Sequence, residues 1–215
     1  SMSDILDMLN ILLEHVMNGH TYLKMGSDNL LREFYFSQLH ALQLFLHLIQ
    51  LISRLETFDK HKHIFMSIIY KMIVQDPRST DGESLLHLAV DRKTSALNGE
   101  NYSSFPSLDV IKILVKCGAN VNALQNNGNS PLQHCVRFFK MTHCEEQMVI
   151  NILNYLVNKG AHVDICNYEG ESALTLIKKM ALPFSTANYL SLQCLASRAI
   201  MKHKIPYHEV LPKYL

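Results

Sequence analysis

The sequence has almost no excess charge of either sign: 20 Lys and Arg stand against 19 Asp and Glu, a net charge of +1. That balance argues against a protein that grips nucleic acid by neutralising its phosphates, because such binding needs a basic surplus. Cysteine is scarce and poorly patterned. The five residues, Cys117, Cys135, Cys144, Cys166 and Cys194, are odd in number, widely spaced and include no C-x-x-C pair. They read as reduced thiols of a cytoplasmic or nuclear protein, not as a disulfide framework. No phosphate-binding glycine loop, H-E-x-x-H or kinase signature occurs, so the enzyme classes that these motifs mark are not expected.

The chain also lacks an uninterrupted apolar run. Its nearest approach, Leu39 to Leu55, is broken by His40, Gln43, His47, Gln50 and Arg54 at spacings of 3, 4, 3 and 4. Those spacings put all five on one helix face, which would be costly in lipid. The expectation is an amphipathic helix with a solvated polar stripe and no membrane partner. Ser1-Met2 reads as the remnant of a cleaved tag, and SDILDMLNILLEHV carries Asp4, Asp7 and Glu14 where a signal peptide would be apolar.

What the sequence does contain is apolar residues, 48% of 215, enough for a sizeable core, and a repeat. DGESLLHLAV from Asp81, NGNSPLQHCV from Asn127 and EGESALTLIK from Glu169 share the form G-x-S-x-L. VIKILVKCGANVNA from Val110 matches ILNYLVNKGAHVDI from Ile152. Gly118 to Gly128 and Gly160 to Gly170 are both 10 residues, while Gly82 to Gly128 is 46 and Gly128 to Gly170 is 42. A regular unit with length variation confined to one part is the signature of a stacked repeat.

Each part has a physical role. Ser84, Ser130 and Ser172 stand where helices begin, and a hydroxyl there accepts from an otherwise unpaired N–H of the first turn. Pro131 occupies the first helical position, which tolerates proline. Gly118 and Gly160 follow helical runs and can take the left-handed conformation that closes the last turn. The recurrence of the three serines as caps, and Leu86, Leu132 and Leu174 at the fifth place where a nucleophile elbow needs glycine, weigh against a catalytic serine. His134-Cys135 and His143-Cys144 could together offer four zinc ligands, but their spacing is not that of paired zinc ligands. No metal, no cofactor and no catalytic residue are expected, and His61 and His63 read as solvated residues of a turn.

The unit resembles the ankyrin repeat, whose T-P-L-H-x-A signature appears as S-L-L-H-L-A at Ser84 to Ala89 and S-P-L-Q-H-C at Ser130 to Cys135. That resemblance gives His87 a structural hydrogen bond. Against about 33 residues per ankyrin unit, roughly 13 and 9 extra residues fall between the two helices, in Lys93 to Ser107 and around Phe139 to Gln147. Asp4 to Val16, Asn29 to Leu55 and His61 to Val74 read as helices of a hairpin region that resembles tetratricopeptide packing. The fold class is therefore all-α: a tetratricopeptide-like region over residues 3–75, two full and one half ankyrin repeat over 76–182, and a helical segment over 186–215.

In SLQCLASRAI, the residues Leu192, Leu195, Ala196, Ala199 and Ile200 recur at helical spacing on one face. The proline-containing tail that follows carries Ile205, Pro206, Val210, Leu211 and Pro212. This arrangement after ankyrin repeats resembles the elongin-binding box and cullin box of ubiquitin-ligase substrate receptors. Ser191, Leu192 and Ile200 match the box, and Ala196 stands where its cysteine is expected. With L-L-H-L-A-V from Leu85, S-F-P from Ser104 and C-G-A-N-V-N-A from Cys117, S-L-x-C-L-A-x-R-A resembles the feminisation-protein, or Fem-one, family over roughly residues 30 to 210. The resemblance implies the adaptor-binding, C-terminal part of a non-catalytic receptor subunit of a cullin-RING ligase. Ser191, Leu192, Leu195, Ala196, Ala199 and Ile200 would meet elongin C, paired with elongin B. Ile205, Pro206, Leu211 and Pro212 would meet a cullin of the cullin-two type. Substrates with C-terminal degrons would be recognised by a longer ankyrin array absent from this sequence. The runner-up is an ankyrin scaffold that binds another protein through its long inter-helix loops.

Overall fold

A computed structural model of the chain describes residues 2–18, 22–25, 32–35, 38–55, 58–97, 100–101, 105–141, 146–184, and 196, 199, 200 and 203. Helices dominate them: α1 (Met2–Asn18), α2 (Gln38–Ser53), α3 (Phe58–Gln75), α4 (Leu85–Val90), α5 (Leu108–Lys116), α6 (Pro131–Met141), α7 (Glu146–Asn158) and α8 (Ala173–Lys179). The all-α repeat class expected from the sequence is the class observed. Two short antiparallel ribbons were not expected. One pairs β1 (Tyr22–Met25) with β2 (Arg32–Tyr35), and the other pairs β3 (Ala96–Leu97) with β4 (Glu100–Asn101).

The first ribbon corrects the helix expected over Asn29 to Leu55, which begins only at Gln38. REFY ends in two aromatic residues, Phe34 and Tyr35, a residue type enriched in extended chain. Its backbone register pairs Tyr22 with Tyr35 and Lys24 with Glu33. The second ribbon takes up part of the extra length of the first repeat, after a 3-10 turn at Arg92–Ser95. In the second repeat the extra length is largely helix, because α6 runs 11 residues where α4 runs 6. His61 and His63, expected in a turn, lie within α3.

The repeats form as the glycines and serines require. Gly82, Gly128 and Gly170 have φ near +80° in equivalent turns, and Gly118 and Gly160 close α5 and α7 at +96° and +90°. Ser130 Oγ accepts from Gln133 N at 3.3 Å, and Ser172 Oγ accepts from Thr175 N at 3.2 Å. Successive turns are tied backbone to backbone, Asn126 N donating to Asp81 O at 3.0 Å and Tyr168 N to Asn127 O at 3.1 Å. Arg78 adds a side-chain brace, its Nη1 donating to the carbonyls of Gly82 (3.1 Å) and Leu124 (3.2 Å).

One hydrophobic cluster runs from Leu6 in α1 to Leu182 beyond α8. α1 packs on α2 and α3, and α2 packs on α4, α5 and β3. This enclosure overturns the solvated stripe expected on α2: Gln43, His47 and Gln50 are only 8%, 8% and 3% exposed. His40 is half-buried and Arg54 stays exposed, and at His47 the stripe meets the insertion of the first repeat. The His47 ring stands edge-on to Phe105 with 5.4 Å between centroids. Burial pushes the His47 pKa below its ordinary value, opposed by a hydrogen bond with the Thr94 backbone.

A β-carbon at Gly82 would lie 2.8 Å from Asn126 N and closer still to Asn126 Oδ1, whereas at Gly118 it would meet nothing within 4 Å. Both sites carry the left-handed penalty of about 1–2 kcal/mol for a non-glycine residue. Gly82→Ala therefore destabilises well beyond Gly118→Ala in urea unfolding. Equal midpoints would show that the turn-to-turn contact contributes nothing.

Candidate functional site

The seam between repeats is built by one position, three residues after each capping serine: His87, Gln133 and Thr175. His87 Nδ1 lies 3.2 Å from Ser84 N and 2.8 Å from Ser84 Oγ, and Nε2 lies 3.0 Å from the Asn129 carbonyl oxygen. A carbonyl can only accept, so Nε2 carries the proton and Nδ1 accepts from Ser84. This is the structural role expected for His87. Burial is the main cause that brings its pKa down to about 3; the Asn129 bond opposes this, and His134 adds a smaller lowering. Gln133 repeats the arrangement with an amide: Oε1 accepts from Ser130 N at 2.8 Å, and Nε2 donates to the carbonyls of Ile165 (3.1 Å) and Glu171 (2.7 Å). Thr175 is shorter and turns back, accepting from Ser172 N at 2.8 Å and donating to Ser172 O at 2.7 Å.

Beside the seam lies a groove of about 370 Å³, lined among others by Glu83, Lys93, Gln125, Asn127, His134 and Arg137. Arg137 Nη2 donates to Glu169 and, at 2.6 Å, to Glu171; that bond holds the Glu171 carboxyl below its ordinary range. His134 Nε2 lies 3.4 Å from Asp91 Oδ2 and 3.7 Å from Glu83 Oε1. The sequence grouped His134 with Cys135, His143 and Cys144; the structure groups it with two carboxylates, and His143 and Cys144 lie outside the described residues. A signal for this was present. The equivalent positions in the other repeats are Leu88 and Leu176, so a buried histidine has replaced a leucine.

Cys117 and Cys135 are buried and Cys166 is exposed. Burial pushes the Cys117 thiol up, and its Sγ packs 3.8 Å from Met66 O and Met66 Sδ. Ser84, Ser130 and Ser172 are all buried.

Of the residues expected to dock elongin, Ala196, Ala199 and Ile200 are helical, with both alanines exposed and Ile200 half-buried. His203, one turn beyond Ala199, is helical and exposed. Ser191, Leu192 and Leu195, and the cullin-facing Ile205, Pro206, Leu211 and Pro212, lie outside the described residues. Among the described residues no helix is long and apolar enough to cross a membrane.

Stacked helix pairs joined by glycine turns, with buried polar side chains stitching one unit to the next, define an ankyrin-repeat protein of the kind that serves protein interaction, and the Ankyrin repeat family model matches residues 81–126. The chain is 34% identical to Protein fem-1 homolog A of Bos taurus over 178 residues, covering 81% of this chain and 26% of that protein. It is also 34% identical to Protein fem-1 homolog A of Homo sapiens, covering 81% of this chain and 25% of the relative, and to Protein fem-1 homolog C of Mus musculus, covering 81% and 27%. The chain belongs to the Fem-1 family. It spans about a quarter of the length of the curated relatives it matches.

A neutral buried His87 gives the fold a pH dependence. Its folded pKa lies below the unfolded value of about 6.5, so the unfolded state binds the proton first and stability falls as pH drops from about 6.5 towards 3. The slope contributed is roughly 1.4 kcal/mol per pH unit. His87→Gln, which copies Gln133, is expected to keep stability within about 1 kcal/mol and to flatten the decline between pH 6.5 and 5 to what His47 leaves. His87→Leu is expected to lose about 1–3 kcal/mol at pH 7, by stranding Ser84 N and Asn129 O. Chemical denaturation across that pH range measures both.

Proposed function

We propose that this chain is the adaptor-binding part of a substrate receptor of a cullin-RING ubiquitin ligase, non-catalytic itself, working in the cytoplasm or nucleus. Its C-terminal box docks elongin C, with elongin B, and the following tail meets a cullin of the cullin-two type. Substrates bearing C-terminal degrons are brought by a region outside this sequence. The observation that carries the reading is the S-L-x-C-L-A-x-R-A box beginning at Ser191 in a chain of the Fem-1 family. The exposure of Ala196 and Ala199 on helical residues supports it, because small side chains let a partner backbone approach closely. A helix laid in a groove is a common recognition mode. The buried, hydrogen-bonded state of the three repeat serines supports a non-catalytic role.

A plain interaction scaffold is favoured by a different observation: Tyr168 is 81% exposed at the tip of a repeat turn, and Leu124 is exposed beside the preceding turn. Capture of purified elongin B and C separates the two readings. Removing one buried leucine anchor loses about 1.5–3 kcal/mol, a factor of roughly ten to a hundred in affinity. Leu192→Asp is therefore expected to abolish capture. Ala199→Glu is expected to weaken it at least tenfold without moving the melting temperature, since Ala199 is exposed. Parent-level capture by both variants sinks the box assignment, and loss of capture on Tyr168→Ser with both box variants intact would establish the scaffold instead.

A further inference from the structure

We propose that Glu83, Asp91 and His134 form a binding site for a divalent cation of the zinc type at the junction of the first two repeats. The site is independent of the ligase reading. Three ligand-capable atoms, one from each residue, lie within 4.8 Å of one another, and His134 Nε2 is 3.4 Å from Asp91 Oδ2 and 3.7 Å from Glu83 Oε1. Zinc–ligand distances of about 2.1 Å at tetrahedral angles put ligand atoms about 3.4 Å apart. The two separations from His134 are thus close to those a bound ion would set, and the His134–Asp91 contact without an ion is a hydrogen bond at the long end of the range.

Each carboxylate is already oriented by its other oxygen. Ser79 Oγ donates to Glu83 Oε2 at 2.9 Å, and Lys93 N donates to Asp91 Oδ1 at 2.8 Å. This leaves Glu83 Oε1 and Asp91 Oδ2 turned toward the histidine, the outer-shell support that metal-binding carboxylates require. The His134 ring is fixed as well, edge-on to His87 at 5.7 Å between centroids and 88°.

A separate observation points to a ligand in the adjoining groove. Gln125, which lines it beside Glu83 and His134, is 8% exposed, and its Oε1 accepts no hydrogen bond. The amide is anchored by its Nε2, which donates to Asn127 Oδ1 at 2.8 Å; leaving its buried acceptor unsatisfied costs about 1–3 kcal/mol, and a water of the ion's hydration shell in the groove would supply the missing partner. The groove also gives an ion a path from solvent. The donor set selects the ion: an imidazole nitrogen suits zinc and its neighbours, whereas magnesium and calcium prefer oxygen alone. Two carboxylates neutralise the ion's two charges.

Titration of the metal-free chain with zinc chloride by calorimetry is expected to show one saturable site, with a rise in melting temperature. His134→Gln weakens binding at least tenfold. Ser79→Ala, which frees the Glu83 carboxylate, weakens it about tenfold or more. Cobalt substituted for zinc shows visible bands with no thiolate charge transfer, because no cysteine is a ligand. No saturable uptake, affinity unchanged in both variants, a thiolate band, or magnesium binding at equal strength would each overturn the proposal. Should His134→Gln fail to fold, unchanged affinity in Ser79→Ala would overturn it alone.

Discussion

The hydrogen bond from His87 Nε2 to the Asn129 carbonyl carries the geometry of the stack. It crosses 42 residues of sequence and is fully buried, so it fixes the turn of the second repeat against the first helix of the first. Gln133 makes the same reach to Ile165 and Glu171 in the unit after it. Because the backbone polar groups of these turns are removed from water, a missing partner would cost about 1–3 kcal/mol each. The turns line up only where these bonds can form. Their alignment brings Glu83 of the first repeat to the same groove as Gln125 and His134 of the second, with Asp91 beside His134.

The same constraint shapes the N-terminal region. Two and a half repeats are fewer than such a stack usually needs to stand alone, and the first repeat would otherwise present α4 and α5 to solvent. α2 covers both. Burial of α2 on nearly all sides is compatible with its polar stripe only because the insertion between α4 and α5 brings polar backbone and Phe105 to meet His47. The additional length of the first repeat is thus part of its packing against the helical region, whereas in the second repeat the additional length extends α6.

The glycine spacing and serine positions made the repeat legible, because left-handed turns and helix caps are local requirements that one residue type satisfies. The polar stripe of α2 was misread because periodicity reports which residues share a face, not what covers it. His40, Gln43, His47, Gln50 and Arg54 have the same spacing whether they meet water or a polar loop. REFY carries no alternation of its own, so nothing in it competes with the strong helical pattern that follows from Gln38. His134 escaped because its partners lie a repeat away, where sequence proximity to Cys135 misleads. A comparison of each repeat position with its equivalents, Leu88 and Leu176, holds more information there than local spacing does.

The last repeat position shows how the series ends. A side chain that stitches one unit to the next must reach beyond its own helix, and histidine and glutamine have that length. Threonine does not: Thr175 Oγ1 returns to Ser172, and the residue is exposed. Among the described residues no later turn is engaged at this position, and α8 carries a short hydroxyl where the two preceding repeats carry a long side chain. Just past α8 the described chain is held by apolar contact, with Leu182 buried and Phe184 partly buried against the core. The change of one side chain from amide to hydroxyl therefore marks the last long-range stitch of the seam among the described residues.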